Sequence, residues 1–392
     1  MRASGQLHLG HYHGVIKNWL QLQNEYECFF FVADWHGLTT HYENPQNFSQ
    51  LSIDIVIDWL AAGLNPNQAT IFIQSWVPEH AELHLLLSMI TPVAWLERVP
   101  TYKDQQAKLS QLDLATYGFL GYPLLQAADV LLYKGNMVPV GEDQVPHIEF
   151  MREVARRFNF LYGREADFEQ KTEAAIKKLG KRNGDFYRQY RKKIQEQGDM
   201  AAKELAEALL DEQKNIPLVD RERLVGYLTG SGKILLPEPQ ALLTPSSKLP
   251  GLDGQKMSKS YGNTIALGEE ASVIEHKIKI MPTDPARIRR TDPGEPDKCP
   301  VWALHQIYTD NSVHAWVQSG CRTAGIGCLE CKRPLIDAIS VEQAPMRERR
   351  LEYQKDTQTI KSILHDGAEA ARSVARDTLS EVQEVMGLTN SW

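Results

Sequence analysis

Two segments of this 392-residue chain carry side chains suited to work on a polyphosphate. His8-Leu9-Gly10-His11 stands just before the apolar-periodic run Val15–Leu22, which places it at a helix N-terminus, where unpaired N–H groups and the helix dipole favour an anion. Gly10 would let a phosphate or a flat purine approach the backbone, and the imidazoles could donate hydrogen bonds to phosphate oxygens. Lys256-Met257-Ser258-Lys259-Ser260 follows the turn-rich segment Pro250–Gly254. Two ammonium groups three residues apart on such a loop could swing onto a polyphosphate and stabilise charge as pyrophosphate leaves. Each segment also has a plainer reading: a His-rich helix start or incidental metal site of His8, His11 and His13, and a solvated basic turn.

A third constellation is metallic. Cys299, Cys321, Cys328 and Cys331 crowd into one short segment, the last two as Cys-x-x-Cys. They are too localised for a disulfide framework and read as metal or cluster ligands in a reducing compartment. From spacing alone Zn²⁺ is the first choice. Cys28, in an apolar run, reads as core. The 43 Lys and Arg against 50 Asp and Glu give a net charge of -7, so contact with nucleic acid must come from a local basic patch and a histone-like wrapper is excluded. With 42% hydrophobic and 24% charged residues, the composition excludes a disordered or low-complexity chain.

These residues need a scaffold. Cys28–Asp34 and Ala69–Gln74 read as buried strands on either side of the amphipathic helix Asn47–Ala62, and strand, helix, strand implies a parallel sheet. Leu83–Leu96 reads as helix, and Val130–Tyr133 and Met137–Val140 as short strand or turn segments. The fold class expected is therefore α/β, a doubly wound parallel-sheet (Rossmann-like) domain over 1–163 and 233–270. From 164 to 232 the chain turns rich in Lys and Glu, a polar helical insertion with Gly180 and Gly184 as breaks. Residues 271–392 read as an all-α domain that ends in the amphipathic run Glu342–Gly387. No apolar stretch approaches the ~18 residues of a membrane helix, and Met1–Gln6 does not open a signal peptide. A cytoplasmic protein with no membrane partner is expected. Gly226–Lys233 has some of the look of a phosphate-binding P-loop, but Ile234 stands where Ser or Thr is required.

The His8–His11 and Lys256–Ser260 segments, in this order, resemble the HIGH and KMSKS signatures of class I aminoacyl-tRNA synthetases. Tyr122-Pro-Leu-Leu-Gln-Ala-Ala-Asp129 and Val140-Gly-Glu-Asp-Gln144 narrow the resemblance to the tryptophanyl-tRNA synthetases, with tyrosyl enzymes as nearest relatives. It covers nearly the whole chain apart from the polar insertion. The resemblance implies a homodimer that uses ATP, with Mg²⁺, to activate L-tryptophan to tryptophanyl-adenylate and then charges tRNA(Trp). By the same resemblance His8, His11, Lys256 and Lys259 would be catalytic. Arg2, Ala3, Ser4, Gly10, His11, Gly141, Glu142, Asp143, Gln144, Lys256, Met257, Ser258, Lys259 and Ser260 would hold ATP. Asp129, Gln126, Tyr122, His36 and Gln144 would hold the tryptophan, and 271–392 would bind the anticodon. The chemistry of Asp129 stands on its own: indole has one donor and no acceptor, so a pocket that reads it needs a fixed acceptor in an apolar slot. Helix packing or a local salt bridge is the plainer reading of Tyr122, Gln126 and Asp129. In-line attack of a carboxylate on the α-phosphate needs no protein nucleophile, only positioning and charge stabilisation.

A subset of bacterial tryptophanyl enzymes resembles the segment Cys299-Pro-Val-Trp, Gly-Cys321 and Gly-Cys328-x-x-Cys331 and carries a [4Fe-4S] cluster, which the resemblance sets ahead of Zn²⁺. Lys298, Arg322, Lys332 and Arg333 would offset the thiolate charge while facing RNA, and the cluster would hold the fold and shape anticodon recognition. Family members carry a strand ahead of the segment matching Arg2–Gly5, and this chain begins inside that region. Its loss would leave unpaired backbone groups on the sheet and an open tryptophan site. Lys171–Lys193, with Phe186, Tyr187 and Tyr190 interleaved, could touch the tRNA acceptor arm or be a solvated helical face. Two other functions stay open: a tyrosine-specific class I synthetase, and a catalytically impaired paralogue that binds tryptophan or RNA. Lys256 and Lys259 argue against the second, since a binder has no departing pyrophosphate to stabilise.

Overall fold

In the computed structural model the described residues are 1–3, 5–43, 45, 47–99, 115–164, 167–214, 216–230, 232–243 and 249–388, without the side chains of Gln197 and Ser260. The chain begins with α1 (Leu9–His11), which runs through a π-helical turn (Tyr12–Ile16) into α2 (Lys17–Leu22). Then come β1 (Cys28–Val32), α3 (Asp34–His41), α4 (Phe48–Ala62), β2 (Ala69–Ile73), α5 (Glu79–Ser88) and α6 (Val93–Glu97). Next are α7 (Tyr117–Leu131), β3 (Met137–Val140), α8 (Val145–Tyr162), α9 (Phe168–Lys178), α10 (Gly180–Gln197), α11 (Met200–Asp211), α12 (Leu218–Leu228) and β4 (Gln240–Leu243). The remainder is helical: α13 (Ala271–Ile280), α14 (Pro300–Tyr308), α15 (Asn311–Arg322), α16 (Cys328–Lys355) and α17 (Thr357–Val385). No helix among the described residues is long and apolar enough to cross a membrane.

The chain divides into two compact units, Met1–Trp76 with Thr244–Ala370 and Val77–Leu243 with Ala371–Trp392. In the first, the aromatic run Cys28-Phe-Phe-Phe-Val32 pairs in parallel with Ala69–Ile73, in register from Cys28 opposite Ala69 to Val32 opposite Ile73. The parallel pairing needs a crossover, and α4 supplies it with Ile55, Val56, Trp59 and Leu60 all buried. Gly63, at φ 115°, ends that helix in the left-handed conformation a side chain resists. The same core takes Leu335 and Ile339 from α16 and Ile360 and Leu364 from α17, so helices from the last third of the sequence complete the core around the first two strands. Residues 1–3 run along β1: the Met1 amine donates to Phe31 O at 2.7 Å, the Ala33 N–H donates to Met1 O at 2.7 Å, and Arg2 bridges Ala33 in parallel. That end of β1 is therefore paired and not left with orphan backbone groups.

In the second unit β3 and β4 pair in parallel, from Met137 opposite Gln240 to Val140 opposite Leu243. Between them in sequence, α9–α12 close round a core of their own with Ala175, Ile176, Tyr187, Leu224 and Leu228 buried. Three sequence expectations change. Val130–Tyr133 is no strand but the end of α7 and its following turn, because Ala127, Ala128 and Leu131 continue the helical stripe begun at Tyr122 and Leu124. Leu83–Leu96 splits into α5 and α6, with Pro92 at the N-cap of α6. Gly184 lies inside α10: a Cβ there would come within 3.3 Å of Ile176, so its smallness brings α9 and α10 together.

Candidate active site

In the first unit the His8–His11 segment is built as a helix cap. His8 Nδ1 accepts from the Gly10 N–H at 3.1 Å, and His11 Nδ1 accepts from the His8 N–H at 3.2 Å. A Cβ on residue 10 would sit 3.0 Å from the His8 ring, so Gly10 is what lets the imidazole lie over the backbone. An accepting Nδ1 bears no proton, which assigns the proton of each neutral ring to Nε2. Burial first and the Lys259 charge second lower His8 to about 4. Burial, then His8, Lys259, Lys256 and the N-terminal amine lower His11 to about 3. Both rings are neutral at pH 7 and offer Nε2–H donors without charge.

The charge comes from the lysine loop. Lys259 Nζ donates to Gly5 O at 2.6 Å, and burial lowers its ammonium to about 8, opposed by the Asp58 carboxylate. Met257 is buried in the core. The loop is pinned by Asn263, which takes the Ser258 N–H at 2.8 Å and donates to Asp253 at 2.6 Å and to Lys256 O at 3.2 Å. A Cβ on Gly251 would meet the Asn263 side chain at 2.2 Å, so that turn is glycine by necessity. The approach to His8 is fixed by Asp58 of α4, which accepts from the Leu7 N–H at 3.4 Å and from Arg350 at 2.7 Å. Burial raises Asp58 to about 6 against the pull of Arg350. This unit also holds Arg2, the buried Ala3 and the buried His36 on α3; Ser4 falls outside the described residues.

In the second unit Tyr122, Gln126 and Asp129 fall at i, i+4 and i+7 on one face of α7. Tyr122 is buried, its ring centroid 5.8 Å from that of His147. Asp129 is buried too, and Oδ1 lies 2.7 Å from His80 Nδ1, while His80 Nε2 lies 2.7 Å from the Tyr133 hydroxyl. With Nδ1–H donating to the carboxylate, Nε2 accepts from Tyr133, and burial, then the charges of Asp129 and Glu79, raises that phenol and keeps it protonated. Gly141 caps the short turn Glu142–Gln144 after β3, where the Gln144 N–H donates to Gly141 O at 3.0 Å and its amide to Asp143 at 3.1 Å.

Neutral donors beside lysines on a pinned loop suit charge stabilisation on a phosphate chain, and a fixed buried carboxylate suits the reading of a lone N–H. A sequence profile described as "tRNA synthetases class I (W and Y)" matches residues 1–182 and 200–341. The chain belongs to this family. It is 62% identical over 391 residues to the tryptophan–tRNA ligase of Ralstonia nicotianae, covering 100% of this chain and 98% of the relative. To that of Thermotoga maritima it is 42% identical over 390 residues, covering 99% and 98%. Among solved structures, tryptophanyl-tRNA synthetase from Campylobacter jejuni, complexed with ADP and tryptophan, superposes with a TM-score of 0.72 at 26% identity, covering 99% of this chain and 98% of that one. The fold is the Rossmann-like class I synthetase fold with added helical regions.

This synthetase gathers its four C-terminal cysteines on one cavity. Cys299 caps α14, Cys321 lies on α15, and Cys328 and Cys331 open α16; all four line a space of about 20 Å³ with Arg287, Val301 and Lys332. Arg287 Nη1 lies 3.7 Å from Cys321 Sγ and His305 Nε2 lies 3.5 Å from Cys331 Sγ. Burial, then the other three sulfurs, pushes Cys331 up to about 12. Among the described residues no group of three or more His, Cys, Asp or Glu is arranged to hold a metal ion, and the space has room for one water-sized group, so a larger group would spread the thiols. Of the cations expected beside the sulfurs, Lys332 lines the cavity but from a buried position and not from a surface that faces RNA. Lys332 is buried and donates to Lys279 O and Met281 O, while Arg322 pairs with Glu295 and Arg333 with Glu275. Arg287, to which no sequence motif points, takes the place beside the sulfurs. His80, Asp58 and Asn263 likewise lie outside the motifs. Of these, His80 carried a signal: it follows β2 in the chain, where strand ends of α/β folds carry sites.

Proposed function

We propose that this chain is a tryptophan–tRNA ligase. It joins the tryptophan carboxylate to the α-phosphorus of ATP, expels pyrophosphate, and passes the acyl group from the adenylate to the terminal ribose of tRNA(Trp). The observation that carries the reading is the 62% identity, end to end, with a ligase of that activity. The geometry supports the roles. His8 and His11 donate Nε2–H to phosphate oxygens; Lys259 and Lys256 take the charge that builds on the departing pyrophosphate, and Mg²⁺ enters with ATP as part of the substrate. Arg2, Ala3, Ser4, Gly10, Met257, Ser258, Ser260 and the turn Gly141–Gln144 shape the nucleotide side. Asp129 accepts the indole N–H, with Tyr122, Gln126, Gln144 and His36 as walls. The enzyme acts as a cytoplasmic homodimer, to which the exposed Leu85 of α5, Met89 just after it and Val93 of α6 offer apolar area. ATP–pyrophosphate exchange tests the assignment: exchange with tryptophan and not with tyrosine is expected, and exchange with tyrosine alone would overturn it.

The cysteines hold a [4Fe-4S] cluster. Four thiols are the donor set such a cluster takes, with Arg287 and Lys332 to offset its charge; bound there it would spread the thiols and tie α14, α15 and α16 together within the helical domain, 271–392, that meets the anticodon. Protein purified without oxygen is expected to carry four iron and four sulfide per chain and to lose both, with a lower Tm, in Cys328→Ser. One zinc per chain, with no iron, would replace the cluster by the alternative site.

A further inference from the structure

Helix α10 has two faces. The inner one holds Tyr187, whose hydroxyl donates to Leu224 O at 2.5 Å, and Ile194, which packs against the insertion's core. The outer one lines up Arg182, Phe186 and Lys193, with Tyr190 at its border, half-buried against the insertion's core; the four lie within roughly 80° of one another at 100° per residue. Phe186 is 38% exposed and stands outside that core. The Arg182 guanidinium lies 5.7 Å over its ring, and the Tyr190 ring lies nearly parallel to it, at 21° with centroids 6.4 Å apart. A solvated helical face needs charge but has no use for an exposed phenyl ring flanked at successive turns by a cation and a second ring. Aromatic faces alternating with cations are what unstacked bases and their phosphates bind. In a chain of net charge -7, α10 sets Lys181, Arg182, Arg188, Arg191, Lys192 and Lys193 against Asp185 and Glu196. It is a local basic patch on an acidic protein.

We propose that the Arg182–Phe186–Tyr190–Lys193 stripe is a stacking platform for the unpaired 3′ end of the tRNA, an inference that rests on the ligase reading. The unpaired end is favoured over the stem because a duplex presents no free base faces. It is favoured over the anticodon because of where the insertion leaves the chain. It follows α8, whose first residue adjoins the Gly141–Gln144 turn and whose 18 residues span about 27 Å, a reach suited to the end that must enter the site and not to the far arm.

The test uses the full chain and direct binding of tRNA(Trp) beside charging and exchange. Phe186→Ala is expected to weaken tRNA binding and raise its KM about 10-fold, and Phe186→Trp to keep both near the wild-type values. Arg182→Ala with Lys193→Ala is expected to flatten the slope of log Kd against log salt by about 0.7 for each phosphate that is no longer neutralised. Tryptophan-dependent exchange is expected to stay unchanged in all of them. Unchanged tRNA binding by Phe186→Ala, an equally large weakening in Phe186→Trp, or the same weakening with tRNA trimmed of its unpaired 3′ nucleotides would each overturn the platform. Absence of exchange in the wild type would overturn the ligase reading instead, leaving the binding result to judge the platform.

Discussion

Lys259→Ala is expected to lower kcat for tryptophan-dependent ATP–pyrophosphate exchange by about 10²–10³ while moving the KM for ATP much less. The ammonium sits 2.6 Å from Gly5 O, beside two imidazoles that burial keeps neutral. It is the charged group among them, and a half-desolvated charge acts on a developing phosphate charge with far less screening than in water. Its position is set by Asn263, Met257 and the Gly251 turn, so little reorganisation accompanies the reaction. The ionisation gives a second readout. With the free-enzyme ammonium at about 8, the group is charged below that value and loses its charge as pH rises through it. The profile of kcat/KM for ATP, which reports the free enzyme, is therefore expected to fall on the alkaline side of about pH 8. In Lys259→Arg, whose guanidinium stays charged, that fall is expected to vanish even if the rate is low. A Lys259→Ala enzyme with unchanged kcat and a raised KM would reduce the lysine to ground-state binding.

How much of this could be read from the sequence depended on whether the partners were local. The His8–His11 and Lys256–Ser260 segments, the parallel strand pair and the clustering of the cysteines are written in short stretches of chain, in motif spacing and in apolar runs, and their placement is what the linear reading recovers. Asp58 shows what it cannot recover. On an apolar helix it looks like one acid among neighbours, and its meaning comes from Arg350, 292 residues away, and from the Leu7 N–H. Lys332 was legible only in part: it does line the cysteine cavity, but a lysine next to Cys331 looks like a surface cation, and its ammonium is drawn inward by the carbonyls of Lys279 and Met281. Val130–Tyr133 misleads because a four-residue apolar run carries no period of its own, and the helix that claims it is fixed by residues one and two turns earlier.

Asp129, proposed to accept the indole N–H, yields the second large effect, since it too depends on a distant partner. Asp129→Ala is expected to lower kcat/KM for tryptophan by roughly 30- to several-thousand-fold, the range for truncating one side of a buried charged hydrogen bond of ~2–5 kcal/mol. Part of any such loss is structural, because the His80 donor would lose its acceptor as well. Substrate chemistry separates the two parts. A tryptophan analogue with sulfur in place of the indole N–H leaves the carboxylate without its ligand donor, so the wild type is expected to reject it by a similar factor. Asp129→Ala is expected to take the two amino acids almost equally. His80 then acts as a positioning residue: it donates Nδ1–H to Asp129 at 2.7 Å and is itself held by the Tyr133 hydroxyl at 2.7 Å. A carboxylate has about four lone-pair sites, so this bond orients Asp129 without exhausting it. Full removal of His80 would take one hydrogen bond from a buried carboxylate and one from a buried phenol, so the informative variant is His80→Gln, whose amide can donate to one and accept from the other. It is expected to raise the KM for tryptophan and relax rejection of the sulfur analogue while leaving the KM for ATP in place. Wild-type enzyme that uses tryptophan and its sulfur analogue equally well would show that Asp129 and His80 form a buried structural pair and that the indole N–H is read elsewhere.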